Sequence, residues 1–457
     1  MEFGTRKKMI EFFSAAEKDY DVNTWTYKDI HLWPYIKQYL FFKEVSNHKE
    51  NKNDNVALVK IFHTTSLLNF IKNFFFGGRK SSSYGMMEHF RHKEHESGIL
   101  INKFYNDLIK EEKLKPLIID HSAKGNFYRS EIDQKTNTLF SFESKLLVLL
   151  VRNLFFSKKE IASLKNNKDF TKFINAYNAR FSTIDKKEIS KSFYQVYLSS
   201  RLYKRLFKTQ KIQKVYVLGY YLSDMYSMVI AGNELQLDTY DIQHGSQGEL
   251  HVAYNDFSKV PKRGYSLLPK YFLCWNEQSA SAINSWAEKT NHHKAIFYGN
   301  PWENYNINNG FKYDNLPSDI FLVTLQPIGD NLVEPHLLDV ISETKDKYNW
   351  FLRLHPRQLH LKSDLNKLLV EYDLSGFVNV EDAINLPLPK LLQNTRIHFS
   401  KFSGSIEEAA AHNVMSLIMD YIGVHSYKYI IEKGLAHPCT KKSKDELIRC
   451  INSIKNV

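Results

Sequence analysis

Three short stretches of the sequence combine imidazole, guanidinium, hydroxyl and carboxylate groups in arrangements that could bind or transform an anion. The first is LRLHPRQ, residues 352–358, where Arg353 and His355 share one side of an extended segment. Pro356 lacks a backbone N–H and biases His355 towards an extended conformation, so a strand should end here. Arginine and histidine at a strand end suit a phosphate group. The alternative is a strand-terminating turn with surface arginines.

The second stretch is HFSKFSGSIEEAAAHN, residues 398–413, in which Ser403, Gly404 and Ser405 lie between a predicted strand and a predicted helix. Gly404 would let a ligand approach the backbone closely, and the start of the helix offers N–H groups to an anion. Ser405 and Glu408 also have the spacing of a capping box. Capping would occupy one serine and leave the other, Ser403 by preference, for a ligand.

The third stretch is YDIQHGSQGELHVAY, residues 240–254, which brings Asp241, His244 and Glu249 to the end of a predicted strand. Two carboxylates and an imidazole are sufficient for general acid–base chemistry. Asp120, which ends the apolar run PLIID, is a further candidate base. The alternative for residues 240–254 is a polar turn between strands.

These stretches predict two groups of site residues. The anion-binding group, which a nucleotide would occupy, consists of Arg353, His355, Pro356, Ser403, Gly404, Ser405 and Glu408. The catalytic group consists of Asp241, His244, Glu249 and His355. No metal site is predicted, because His89, His92 and His95 have helical spacing but no completed ligand set nearby, which favours a solvated surface.

The elements that must position these residues alternate between apolar runs and helical patterns, which is typical of parallel, doubly wound sheets. Predicted strands lie at 214–221, 238–243, 270–275, 294–301, 319–326, 348–355, 376–380, 396–402 and 416–420. We predict an α/β fold with two Rossmann-like domains facing a central cleft. The predicted boundaries are a mostly helical extension at 1–115, an N-terminal Rossmann-like acceptor or catalytic domain at 116–310 and a C-terminal nucleotide-binding domain at 311–457. Ligands bind at the carboxyl ends of such strands.

Composition narrows the class of partner. Lysine and arginine exceed aspartate and glutamate by 62 to 50, a net charge of +12, which favours an anionic ligand or surface. The sequence has no zinc-finger or RNA-recognition motif, so nucleic acid is not the expected partner. Three widely spaced cysteines predict a reducing, cytoplasmic compartment. The apolar stretches 66–80 and 145–159 are interrupted by basic residues. We expect them to form core helices or, alternatively, peripheral contacts with an anionic membrane.

The order of these motifs resembles a known group of proteins. A His-Pro pair after a strand, followed about 45 residues later by a serine-rich strand–helix turn, resembles bacterial sialyltransferases, polysialyltransferases and the Kdo transferases of capsule and lipopolysaccharide assembly. IQHG (242–245), LLPKYFLCWNE (267–277) and FYGNPWE (297–303) are similar to stretches of surface-polysaccharide transferases. The resemblance covers residues 215–420 and implies a GT-B-like fold. It also implies that His355 and Ser403 or Ser405 contact the phosphate of a CMP-activated acidic sugar.

One departure concerns the general base. The sialyltransferases carry an acidic–acidic–glycine motif that supplies it, and this sequence contains no such motif. Asp241, Glu249 and Asp120 are therefore candidates by position only.

The leading hypothesis is a metal-independent, cytoplasmic glycosyltransferase of bacterial surface-polysaccharide synthesis. It would transfer a sialic acid- or Kdo-like sugar from CMP to a glycan or glycolipid acceptor, with peripheral contact to an anionic membrane. The first alternative keeps the fold and takes a UDP-sugar, a GDP-sugar or CDP-glycerol as donor. The second alternative is a non-catalytic basic protein that binds glycan, nucleic acid or membrane.

Overall fold

The structure is a computed structural model, and its chain forms two compact units. Unit 1 comprises residues 1–244 and 251–301, and unit 2 comprises residues 245–250 and 302–457. The structure describes residues 3–47, 82–88, 93–96, 99–105, 108–109, 116–120, 137–140, 161–245, 247, 251–254, 257–308, 316–326 and 331–455.

Unit 1 is built on a seven-stranded parallel sheet with the order β11-β10-β9-β8-β3-β6-β7. Two short antiparallel pairs, β1–β2 and β4–β5, lie outside it. The strands are β1 (Thr26–Tyr27), β2 (Ile30–His31), β3 (Tyr84–Glu88), β4 (Lys93–Glu96), β5 (Ile99–Asn102), β6 (Leu117–Asp120), β7 (Asn137–Phe140), β8 (Lys214–Val217), β9 (Asp238–Ile242), β10 (Tyr271–Cys274) and β11 (Lys294–Phe297). The strands that follow one another in sequence extend the sheet in one direction from β3 and in the opposite direction from β8. Doubly wound sheets bind ligands at such a reversal of strand order.

The helices of unit 1 include an N-terminal pair that packs into the same core as the central helices. They are α1 (Phe3–Asp19), α2 (Trp33–Asn47), α3 (Ala162–Lys165), α4 (Lys168–Asn178), α5 (Lys186–Gln210), α6 (Ser223–Glu234) and α7 (Glu277–Ala287). Trp25, which lies between α1 and α2, is fully buried, with ring centroids 5.1 Å from Phe170 and 5.2 Å from Phe173 of α4. The N-terminal segment is therefore a layer of unit 1.

The domain boundaries in the structure differ from the predicted ones. Strand β3 falls inside the predicted helical extension 1–115, yet it pairs with both β6 and β8 in the middle of the sheet. Its sequence, YGMME, contains no β-branched residue, so local preference gives little strand signal, and its place depends on partners distant in sequence. The division between units falls at residues 301 and 302, earlier than the predicted residue 310.

Unit 2 contains a six-stranded parallel sheet with the order β14-β13-β12-β15-β16-β17. The strands are β12 (Ile320–Thr324), β13 (Asn349–Arg353), β14 (Val378–Asn379), β15 (Thr395–Ser400), β16 (Met415–Ile418) and β17 (Ala436–Pro438). Strand β12 is buried along its whole length, as expected for a strand covered on both faces. The strand order reverses between β12 and β15, which places the expected ligand position at the ends of these two strands.

The helices of unit 2 cover both faces of its sheet. They are α8 (Pro301–Asn308), whose first residue belongs to unit 1, α9 (Pro335–Thr344), α10 (Lys362–Glu371), α11 (Glu381–Asn385), α12 (Leu388–Leu392), α13 (Ser405–Ala411), α14 (Tyr421–Ser426), α15 (Lys428–Glu432) and α16 (Lys444–Lys455). A 3₁₀ helix, Pro356–Leu361, precedes α10. All nine strands predicted from the sequence are present, although each is shorter than its predicted range. The α/β fold with two Rossmann-like sheets is thus confirmed.

Candidate functional site

Three hydroxyl groups converge where β12 and β15 end in unit 2. Thr324 is the last residue of β12 and is paired in register with Ser400, the last residue of β15. The Thr324 Oγ1 atom lies 3.0 Å from Ser400 Oγ and 2.9 Å from Ser405 Oγ, at the start of α13. All three residues are buried. This hydroxyl cluster, Thr324, Ser400 and Ser405, occupies the position where the strand order of unit 2 reverses.

His398 joins the hydroxyl cluster to the next strand. Its Nε2 atom is 2.9 Å from Thr324 Oγ1, and its Nδ1 atom is 2.8 Å from Ser416 Oγ on β16. Burial lowers the pKa of His398 to about 3, so the ring is neutral. Sequence reasoning did not single out His398. The available signal was the alternation of Arg396, His398 and Ser400 with Ile397 and Phe399, which puts the three polar residues on one face of β15.

The loop after β15 is fixed by contacts to the β12 loop and to the start of α9. Gln326 Oε1 accepts a 2.7 Å hydrogen bond from the Phe402 N–H. Lys401 Nζ lies 2.6 Å from Glu334 Oε1, and this partly buried pair helps to lower the pKa of Glu334 against the opposing effect of desolvation. The charge of Lys401 in this loop is therefore balanced by the Glu334 carboxylate.

The two predicted serines have different roles from those a capping box would give them. Helix α13 begins at Ser405, and its N-cap position is Gly404, which makes no side-chain cap. Ser405 directs its hydroxyl to Thr324, while Ser403 Oγ accepts a 3.3 Å hydrogen bond from the Ser405 N–H. Gly404 has φ −56° and ψ −19°, an ordinary right-handed conformation. Glu408 is half-buried in the first turns of α13, and the predicted Ser405–Glu408 capping box is absent.

The Arg353–His355–Pro356 stretch lies at the end of β13, next to β12. Strand β13 ends at Arg353 and Pro356 opens the 3₁₀ helix, as the proline rule predicts. His355 Nδ1 accepts a 3.1 Å hydrogen bond from the Arg357 N–H, so a neutral His355 ring carries its proton on Nε2. The Arg353 guanidinium donates to the carbonyl oxygens of Ala383 and, at 2.6 Å, Leu386. Arg353 thereby holds the end of α11.

Asp241 is a buried anchor in unit 1. Its Oδ1 atom accepts hydrogen bonds from the N–H groups of Gly219 (2.8 Å) and Tyr220 (3.1 Å), and its Oδ2 atom accepts from Tyr254 Oη at 2.7 Å. Burial raises the pKa of Asp241 to about 7, even though the three hydrogen bonds favour the carboxylate. The residue therefore fixes the loop after β8 and titrates near neutral pH.

His244 lies beside an aromatic and imidazole group at the end of β9. Its ring centroid is 6.2 Å from that of Tyr221, which in turn is 5.2 Å from His251. Burial lowers the pKa of His244 to about 4 and that of His251 to about 3, so both rings are neutral near pH 7. Sequence reasoning did not select His251. Glu249, the other predicted carboxylate, and the side chain of Asp120 lie outside the described residues.

A further buried carboxylate, which sequence reasoning missed, lies at the carboxyl ends of the strands in the unit 1 sheet. Glu88 ends β3, beside the point where the strand order reverses, and its Oε1 atom accepts a 2.9 Å hydrogen bond from Asn102 Nδ2. Asn102 Oδ1 also accepts from the N–H groups of Phe104 and Tyr105. The only sequence feature that could have indicated this site is that Glu88 ends a short apolar run.

Gly219 should be essential for the geometry around His244. It has φ +75°, and an added Cβ atom would lie 2.8 Å from His244 Cε1. Gly219→Ala should therefore lower the free energy of unfolding by more than the ~1–2 kcal/mol that a left-handed backbone alone costs. Gly434→Ala is the matched control, because Gly434 has φ +71° and nothing within 4 Å of the added Cβ. Equal losses in urea unfolding would contradict the predicted contact with His244.

In the part of the chain that the structure describes, no three His, Cys, Asp or Glu side chains cluster as metal ligands would. Among the helices of the described residues, none combines the length and apolarity that a bilayer crossing needs. The apolar stretches 66–80 and 145–159, together with His89 and His92, lie outside the described residues.

Comparison with known proteins gives a structural likeness only. No protein-family model and no curated protein matches the sequence. A protein from Listeria monocytogenes assigned as a UDP-N-acetylglucosamine 2-epimerase superposes with a TM-score of 0.50 at 12% identity, over 82% of this chain and 88% of that chain. The S. aureus MnaA–UDP structure gives 0.48 at 12% identity over 82% and 88%, and the glycosyltransferase of kitacinnamycin gives 0.49 at 10% over 83% and 92%. The likeness to the Listeria protein, together with the two parallel sheets, shows that this chain has a GT-B-like fold of two Rossmann-like units.

Proposed function

We propose that this protein is a glycosyltransferase that binds a nucleotide-activated sugar at the carboxyl edge of the unit 2 sheet, with a UDP-sugar as the favoured donor. The observation that carries the proposal is the hydroxyl cluster at the ends of β12 and β15. Ligands of open α/β sheets bind where the strand order reverses, and hydroxyl groups there can donate to phosphate oxygens. The proposed phosphate site is thus Ser405 and Ser403, backed by Thr324.

The choice of donor rests on fold-level analogy. The Listeria protein that shares the fold is assigned to an activity on UDP-N-acetylglucosamine, which favours the UDP-sugar alternative over a CMP-sugar. His355 follows β13, the neighbour of β12, and its Nε2–H would donate to a second phosphate or to the leaving-group oxygen. A diphosphate donor would therefore engage both strand ends.

A ligand panel tests the donor. We expect UDP to raise the melting temperature more than CMP, CDP or GDP does at equal concentration, because a ligand at ~100 times its Kd stabilises the folded state by about 2.7 kcal/mol. Thr324→Val should lose the UDP shift. Thr344→Val is the matched control: it removes another buried threonine hydroxyl of unit 2, one that bonds Val340 and Trp350. Equal UDP shifts in both variants would remove the hydroxyl cluster from the site.

Product analysis then distinguishes sugar transfer from epimerisation of the sugar nucleotide. UDP released from UDP-sugar in the presence of a glycan acceptor, with a longer glycan as product, supports the transferase. A C2-epimerised sugar nucleotide with no acceptor consumed would contradict it and assign the fold neighbour's activity instead. Activity retained in EDTA is expected, since we propose that hydroxyl, imidazole and N–H groups bind the phosphates without a metal.

His355 should matter for turnover more than for stability. His355→Ala should lower the turnover number by ~100-fold, because it removes a donor to the charge that develops on the leaving phosphate. The half-buried His355 side chain also caps the 3₁₀ helix, so its loss should lower the free energy of unfolding by no more than the ~0.5–2 kcal/mol of a helix cap. His360→Ala, at an exposed histidine of the 3₁₀ helix that His355 caps, is the control for turnover. A loss below tenfold for His355→Ala would exclude it from the phosphate site.

A CMP-linked acidic sugar is the second candidate donor. It is favoured by the position of His355 and Pro356 at the end of β13, the feature that resembles sialyltransferases and Kdo transferases. The net charge of +12 would attract an anionic donor, an anionic glycan and the inner face of a bacterial membrane during surface-polysaccharide synthesis. Transfer from CMP-sialic acid or CMP-Kdo, but not from UDP-sugars, would decide for this candidate.

A further inference from the structure

The hydroxyl groups around the His398 ring restrict which of its two nitrogen atoms carries the proton. The ring is fully buried, and its two nitrogen atoms face hydroxyl oxygens on different strands, Thr324 and Ser416. Because the ring is neutral, it carries one N–H, and one nitrogen must accept while the other donates. His398 therefore has a choice of two tautomers, and each one fixes the direction of the hydrogen bonds beyond it.

The tautomer also determines what Ser405 can offer to a ligand. Thr324 has one O–H proton and four polar neighbours: it donates to Ser400 Oγ or to the Phe399 carbonyl oxygen, and it also contacts His398 Nε2 and Ser405 Oγ. If His398 Nε2 accepts the Thr324 proton, Ser400 and Phe399 lose that donor and Ser405 must donate inwards to Thr324. Ser405 then presents only an acceptor. If Nε2–H donates to Thr324, the Thr324 proton can go to Ser400 or to Ser405. In the Ser405 arrangement, the Ser405 proton is available to a ligand oxygen.

We propose that His398 is a positioning residue that holds its proton on Nε2, so that the chain His398–Thr324–Ser405 ends in a hydroxyl that donates to a phosphate oxygen. In this arrangement Ser416, whose Oγ atom lies 2.8 Å from His398 Nδ1, donates its proton to that nitrogen and so favours the Nε2–H tautomer. The inference rests on the proposed nucleotide site. It assigns the ligand at Ser405 to the class of acceptor-only anions, because a sugar hydroxyl could bind either arrangement, whereas a phosphate oxygen requires a donor.

This arrangement explains how a phosphate can be bound where the neighbouring cation is already paired. Lys401, which precedes the serine loop, forms a 2.6 Å contact with Glu334. Donor hydroxyls ordered by a buried imidazole supply directed hydrogen bonds without a further charge. Because the lysine next to the serine loop is already paired with Glu334, the affinity of the site for phosphate should depend only weakly on salt.

The first test is the tautomer itself. Long-range ¹H–¹⁵N spectra of the full chain with ¹⁵N-labelled histidine report which ring nitrogen is protonated, and the spectrum of His398→Gln assigns the signal. We expect a protonated Nε2 and an unprotonated Nδ1 at neutral pH, with and without UDP. A protonated Nδ1 overturns the inference, whatever the nucleotide affinity.

The second test removes the group that sets the direction. Ser416→Ala should permit the Nδ1–H tautomer and weaken UDP binding by roughly tenfold in calorimetry, and Ser416→Thr, which keeps the hydroxyl, should restore both. Ser227→Ala removes a buried serine hydroxyl of unit 1 and should leave UDP affinity unchanged. Unchanged UDP affinity in Ser416→Ala overturns the relay. Failure of the wild-type protein to bind UDP or CMP overturns the proposed function and the ligand assigned to Ser405, but a protonated Nε2 would still support the positioning role.

Discussion

Replacing Glu17 by alanine should lower the free energy of unfolding by about 3–5 kcal/mol, the loss expected when one partner of a buried ion pair is removed. Glu17 is 1% exposed. Its Oε1 atom accepts from Trp33 Nε1 at 2.6 Å and lies 3.6 Å from Lys37 Nζ, while its Oε2 atom accepts from the Ser258 N–H and hydroxyl. The substitution would leave Lys37 buried without this counter-charge. It would also remove the hydrogen bonds that link α1 to Trp33 of α2 and to Ser258.

Glu11→Ala is the control for this prediction. Glu11 lies on the same helix and contacts Lys7 at 4.0 Å, but both side chains are more than half exposed, so the pair should contribute about 0–1 kcal/mol. Urea unfolding followed by tryptophan fluorescence measures both variants, since Trp25 and Trp33 are fully buried in this layer. A loss for Glu17→Ala that is no larger than the loss for Glu11→Ala would show that the buried pair does not hold the N-terminal layer.

Asp241 should make the protein less stable as the pH rises through neutrality. Burial raises the pKa of Asp241 from 3.8 to about 7 in the folded state, so the folded protein binds this proton more tightly than the unfolded chain does. The contribution to stability is then fully present below about pH 4 and is lost as the pH rises through about 7. The change amounts to roughly 4 kcal/mol between about pH 4 and about pH 8.

Asp241→Asn should remove this pH dependence. An asparagine oxygen can accept from the N–H groups of Gly219 and Tyr220, and its amide can donate to the Tyr254 oxygen, as the protonated acid would. We therefore expect the difference in unfolding free energy between the wild-type protein and the variant to change between about pH 4 and about pH 8. Parallel curves of unfolding free energy against pH would contradict a raised pKa. Loss of sugar transfer with UDP binding intact would identify Asp241 as the catalytic base.

The tertiary structure changed the interpretation of residues that the sequence had already marked. Arg353 was predicted to contact phosphate, and the structure places its guanidinium on the carbonyl groups of Ala383 and Leu386 at the end of α11. Ser405 was predicted either to cap its helix or to bind a ligand, and its hydroxyl contacts Thr324, 81 residues away in sequence, and forms no cap. Neither contact has a local signal, because each partner is a backbone or hydroxyl group brought close only by the tertiary fold.

The amino-acid sequence was sufficient to predict the two parallel sheets, the nine strands named above and the end of β13 before Pro356. These features depend on local chemistry: continuous apolar runs fit strands buried on both faces, and proline lacks the N–H that a strand needs. Three features became visible only in the folded chain: β3 lies in the interior of its sheet, Asp241 is an anchor, and His398 links Thr324 to Ser416. These contacts join residues that are far apart in the chain. Burial then sets the pKa values of Asp241 and His398, and the spacing of residues in the sequence does not reveal which side chains will be buried.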